Sequence, residues 1–105
     1  MLKLKKLKLS DISKYPFGRF KSNGDFSGEL LREEYLIPYL GMYEHIDIDL
    51  NGVMGLGSSF LEEAFGGLAK KVSPEIIEDK ISIICDEDIY TLQINEYIKA
   101  NSKDD

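Results

Sequence analysis

Apolar and polar positions alternate most cleanly over residues 43 to 53, where Ile46, Ile48 and Leu50 interleave with His45, Asp47, Asp49 and Asn51. A period of two gives a strand with one buried face and one face that is at least partly wet. The same alternation runs through residues 1 to 9, with Leu2, Leu4, Leu7 and Leu9 set against Lys3, Lys5, Lys6 and Lys8. Its phase slips at the adjacent pair Lys5 and Lys6, so a bulge is expected there, and the lysines read as guards of an exposed sheet edge. Residues 18 to 21 predict a further short strand, followed by turn chemistry in Ser22, Asn23, Gly24 and Asp25. Ile81 to Cys85 is apolar enough for a central strand.

Between these strands the spacing becomes helical. Ser27 is the expected N-cap of a helix over residues 28 to 37, which ends there because Pro38 follows. Ser58 and Ser59 open the next helix, residues 59 to 70, whose Leu61, Ala64, Phe65 and Leu68 fall at i, i+3, i+4 and i+7. Ser59 with Glu62 fits a capping box, so Ser59→Ala is expected to cost about 1 kcal/mol and Ser58→Ala less. Gly66 and Gly67 lie inside this helix at a cost of roughly 1 kcal/mol each relative to Ala. Close approach to the sheet is the expected reason. Pro74 starts a helical turn through Glu78, and residues 88 to 99 form the last helix. This order, with crossovers long enough for parallel pairing, predicts one small α/β domain over residues 1 to 99 and a frayed polar end, 100 to 105.

The 105 residues carry 13 Lys plus Arg against 19 Asp plus Glu, a net charge of −6. That balance argues against a nucleic-acid partner, because phosphate contacts need a basic stripe. No run of about 18 apolar residues would span a membrane, and lysines interrupt every leucine pair at the N-terminus, so a cytoplasmic protein with no membrane partner is expected. Cys85 is the only cysteine, which excludes an intramolecular disulfide and a multi-cysteine metal site.

Chemistry is sparse along the chain. His45 is the one histidine for any scheme of acid-base or nucleophilic catalysis and for zinc ligation. Asp47 and Asp49 share a strand face about 7 Å apart, either as solvated residues or as ligands of a hard cation. Gly52, Gly55 and Gly57 match no phosphate-binding fingerprint. A non-enzyme with no catalytic residue, metal or cofactor is therefore expected. The informative stretch is Asp49 to Leu68, which sets the hydroxyls of Ser58 and Ser59 at a helix start after a strand and a glycine-rich loop. Unpaired amides and the helix dipole favour an anion there, so the serines either cap the helix or carry a phosphate. Met54, Gly55, Gly57, Ser58, Ser59, Phe60 and Glu63 form the expected partner-binding surface, with Phe60 as its bulky contact. An alternative is a nucleotide- or small-anion-binding domain, or an enzyme, using the same helix start with Asp25, Arg32 and Asp49 as a polar pocket.

The strand ending Asp49-Leu50-Asn51-Gly52-Val53, followed by Ser58-Ser59 and a helix, resembles the STAS domain pattern of sulfate transporters and anti-sigma factor antagonists. More closely, the chain resembles a STAS-like family of bacterial and phage proteins, through Gly24 to Glu29, Arg32 and the segment Ser58 to Leu68. The resemblance spans roughly residues 10 to 85. It implies a mixed, mostly parallel sheet of four to five strands with helices packed on it. It also implies a regulatory module like the anti-sigma factor antagonists, bound by a histidine-kinase-like ATPase that phosphorylates the second serine of the pair, here Ser59. In this chain Gly57 and Phe60 flank the serines where the regulatory proteins have Asp and Gly. A third reading is a phage-encoded inhibitor of host machinery, drawn from the acidic charge alone.

Overall fold

Three strands, β1 (Leu4–Lys8), β2 (His45–Asp49) and β3 (Ile81–Ile84), form a parallel sheet in the order β1-β2-β3 in the computed structural model, which describes residues 3–102. The register pairs Leu7 with Ile48 and Ile48 with Ile83, and likewise Lys5 with Ile46 and Ile46 with Ile81. Because side chains alternate across a strand, these six residues share one face. The buried Leu7, Ile46, Ile48 and Ile81 on it lie in the core with Leu31, Phe60, Phe65 and Ile94 of the helices. The opposite face carries Lys6, Lys8, His45, Asp47 and Ser82 and stays open, which explains the clean alternation of β2.

The expected sheet of four to five strands is corrected to three among the described residues, and the sheet is wholly parallel rather than mixed. Residues 18 to 21 form no strand. Gly18 takes φ +84°, and the segment is a loop fastened by Phe17 N–H to Phe26 O (2.9 Å) and Gly28 N–H to Gly18 O (3.0 Å). The bulge at Lys5 and Lys6 is also absent, since β1 pairs residue for residue with β2. Lys5 instead enters the covered face and lays its ammonium over the rings of Tyr39 and Tyr43, 5.5 and 5.9 Å from their centroids. Leu9 leaves the strand to open the short helix α1 (Leu9–Ile12), and Leu2 lies outside the described residues.

Helix α2 runs through Gly28–Leu30, a π-helical segment Leu31–Leu36, and Ile37–Met42. Ser27 caps it as expected, its hydroxyl accepting from Leu30 N–H at 3.1 Å. The helix passes Pro38 instead of stopping at Ile37. Ile37 N–H reaches back five residues to Arg32 O, so the i−4 ladder that a proline would break has already been left. Helix α3 has the same construction, Ser58–Leu61, π-helical Glu62–Gly66, and Gly67–Ala69. Helix α4 (Pro74–Lys80), capped by Ser73, leads into β3, and α5 (Asp88–Asn101) closes the fold. The described part of the polar end is helix through Asn101, not fray from Ala100 onward. Among the described residues no helix is long and apolar enough to cross a membrane.

Candidate functional site

The loop after β2 begins with a turn built by side chains. Asp49, buried at the end of the strand, accepts Asn51 N–H on its carboxylate at 2.9 Å, and Asn51 Oδ1 accepts Asp86 N–H at 2.9 Å from the loop after β3. Gly52 follows with φ +94°, a conformation open to glycine at little cost. Met54 N–H then bonds Lys14 O at 2.8 Å, joining this loop to the one after α1. Met54 is 68% exposed, and on the neighbouring loop Tyr15 is 71% and Phe17 65% exposed. Gly55, Gly57 and Ser58 are exposed too, while Ser59 is half-buried.

Gly57, not Ser59, is the N-cap of α3, and no side chain caps this helix. The capping box of Ser59 with Glu62 is corrected accordingly: the Glu62 carboxylate accepts Arg19 Nη2 at 3.0 Å instead. Phe60 is the second correction. It is 0% exposed and packs on Phe26 at a centroid distance of 5.9 Å, so it belongs to the core and cannot be a surface contact in this fold.

Glu63 faces inward to Arg32. Arg32 Nη1 donates to the Glu63 carbonyl at 2.6 Å and to its carboxylate at 2.7 Å, while Nε donates to Glu33 Oε2 at 2.7 Å. Lys71 Nζ approaches the same Glu33 oxygen at 3.3 Å. Burial would pull the Arg32 guanidinium down, but its hydrogen bonds to Glu33 and Glu63 outweigh that and hold it above its ordinary value. The bond from Arg32, with Lys71 adding to it, holds the Glu33 carboxyl below its ordinary range.

The glycines explain how an arginine fits between two helices. A Cβ on Gly67 would collide with Arg32 Nη1, and one on Gly28 would collide with Phe60 O and crowd Ala64 N. Gly66 lies against Asn101 of α5. The close neighbours of Gly66 and Gly67 are therefore Asn101 and Arg32, not the sheet.

Asp25, Arg32 and Asp49 do not form the expected pocket. Arg32 opens on a cleft that neither aspartate lines, Asp49 is engaged with Asn51, and Asp25 is exposed on the loop before α2. His45 Nε2 lies 2.8 Å from Ser82 Oγ on the open face of the sheet. Among the described residues no group of three or more His, Cys, Asp or Glu is placed to hold a metal ion. A larger groove, about 590 Å³, runs between α4 and α5 over Phe65, Ile83 and Ile98, and none of the candidate site residues expected from the sequence lines it. Sequence reading missed Arg19, Lys70, Lys71 and Asn101, which gather around Arg32. The paired glycines inside α3 were the available signal, because each needs a close neighbour.

A parallel sheet with a glycine-bearing loop at the carboxyl end of its central strand, leading into a serine-opened helix, defines a small α/β domain of STAS-like character. Residues 27–90 match the family described as STAS-like domain of unknown function (DUF4325), and the chain belongs to that family. The match begins after the loop that carries Tyr15 and Phe17. No curated protein and no solved structure is significantly similar to the chain.

Proposed function

We propose that this protein is a non-catalytic regulatory module that binds a protein partner, an ATPase of the histidine-kinase-like type, through the loop from Met54 to Gly57 and the start of α3. The observation that carries this reading is the exposed apolar group at the carboxyl end of the sheet. Met54 stands there beside the loop that exposes Tyr15 and Phe17, bound to it through Lys14 O. Open parallel sheets place their sites at this end. Exposed aromatic and methionine side chains are the residues that interfaces use as anchors. Membership of a STAS-like family supports a regulatory role. With Phe60 in the core, Met54 and Tyr15 take the anchoring part assigned to it from the sequence.

Ser58 is the exposed hydroxyl of the pair and Ser59 the half-buried one. A phosphate on either adds about two negative charges one turn before Glu62 and Glu63. In this reading it loosens an acidic partner. The test is calorimetric titration of the purified ATPase with wild type, Met54→Ala, Tyr15→Ala and Ser59→Asp, with mass spectrometry for phosphate after incubation with ATP. Met54→Ala and Tyr15→Ala should each weaken binding by roughly tenfold. Equal binding by all four proteins would overturn the assignment of this surface.

A further inference from the structure

Arg32 has five N–H donors, and three of them are used. Nε serves Glu33, and both hydrogens of Nη1 serve Glu63. Nη2 has no acceptor among the described residues. The side chain is only 9% exposed, yet no fully buried side-chain nitrogen or oxygen lacks a partner, so Nη2 must touch solvent. Arg32 lines a cleft of about 210 Å³. Arg19, Arg32, Lys70 and Lys71 line that cleft together with the carboxylates of Glu62 and Glu63. In a protein of net charge −6, four cations stand here against three carboxylates, Glu62, Glu63 and the Glu33 that pairs with Arg32 and Lys71, which leaves a small local excess of positive charge. A concave positive site with partly dry walls raises the local concentration of anions.

The site is also built to hold its shape. Glu33 and Glu63 clamp the guanidinium on two sides, and the missing side chain of Gly67 gives it room. Arg32 and Glu63 both lie in π-helical segments, Leu31–Leu36 and Glu62–Gly66, a rare geometry found frequently at functional sites. The cations arrive from three directions: Arg19 from the loop before α2, Arg32 from α2, and Lys70 and Lys71 from the end of α3.

We infer that this cleft binds the phosphate group of a small molecule, with Arg32 Nη2 as the fixed donor at its floor and Arg19, Lys70 and Lys71 closing around the remaining oxygens. A phosphate monoester offers three acceptor oxygens and nearly two negative charges at neutral pH, which suits donors converging from several sides. A carboxylate offers two oxygens in one plane and a single charge. Glu63 acts here as a positioning residue, since it occupies Nη1 and leaves Nη2 free to donate. The inference stands apart from the partner-binding reading, which uses the loop at Met54.

The test is titration of the full ¹⁵N-labelled chain, at fixed pH, with inorganic phosphate. Parallel titrations use sodium chloride at matched ionic strength and sodium acetate. The amides of Gly67, Lys70 and Lys71 and the Nε–H of Arg32 report on the cleft. A second protein, Lys70→Gln with Lys71→Gln, alters two exposed residues and removes the Lys71 contact to Glu33, while the hydrogen bonds of Arg32 to Glu33 and Glu63 stay in place. Phosphate is expected to produce saturable shifts at these positions, with acetate weaker and chloride without saturation. The double variant should bind phosphate roughly fivefold to tenfold more weakly. Linear shifts that chloride reproduces, equal affinity for acetate, equal affinity in the two proteins, or saturation confined to Ser58 and Ser59 would each overturn the inference.

Discussion

Single residues in α2 and α3 owe their identity to what lies within touching distance. Gly28 meets backbone of α3, Gly67 meets a clamped guanidinium, and Gly66 meets the end of the Asn101 side chain. Backbone cannot yield and a flexible amide can. Each Gly→Ala change gains roughly 1 kcal/mol of helix propensity, so the neighbours decide the sign. Gly28→Ala should lose the most, a net of roughly 2 kcal/mol or more, Gly67→Ala less, and Gly66→Ala should be near neutral or stabilising. Urea unfolding of the three variants checks the ranking. The serines divide in the same way. Ser27→Ala should cost about 1 kcal/mol because a cap bond is lost, whereas Ser59→Ala should fall within about 0.5 kcal/mol. Glu33 adds a pH dependence. Its carboxyl lies below the ordinary 4.5 in the folded protein, so its contribution is present above that value and is lost as pH falls through the folded value. The stability difference between wild type and Glu33→Gln should therefore be constant near neutrality and shrink in acid unfolding titrations below about pH 4.5.

At the scale of elements, β2, β3 and the helix starts at Gly28 and Pro74 were legible because each has a local cause: alternation, a short apolar run, a cap, or a proline at a first turn. β3, expected to be central, lies at the edge of the sheet, and β2 takes the centre. What escaped were features set by partners distant in sequence. Pro38 reads as a stop until the π-helical register before it is known. Lys5 reads as an edge guard with a bulge until Tyr39 and Tyr43 appear beneath it. Ser59 reads as a cap, although the chain enters α3 with Gly57 in the extended position. The strand at 18 to 21 failed because its backbone groups pair with Asn23 and with Gly28 and Glu29 at the start of α2. At the candidate site the exposed loop was found, but Phe60 was placed on the wrong side of α3. The register of β1 supplies a direct check. Lys5→Glu puts a carboxylate against two ring faces and should lower the denaturant midpoint, while Lys6→Glu on the open face should change stability by no more than about 0.5 kcal/mol. Equal effects would restore the bulge.

Across the whole molecule, four of the residues that carried the family resemblance fasten α2 to α3. Gly28, Arg32, Glu63 and Gly67 form one close contact, and the sheet beneath it keeps its other face open. This joint holds the start of α3 still, and with it the loop that presents Met54 and Ser58. Arg32 and Glu63 must therefore act as one unit. The most direct measurement is a double-mutant cycle of Arg32→Met and Glu63→Met, read by equilibrium unfolding. Glu63→Met leaves Arg32 with Glu33 alone, Arg32→Met leaves Glu63 with only the longer contact to Arg19 at 3.5 Å, and the double change removes both charges from the joint, so a coupling of about 1 kcal/mol or more is predicted. Effects that add to within about 0.5 kcal/mol would contradict the joint between the two helices.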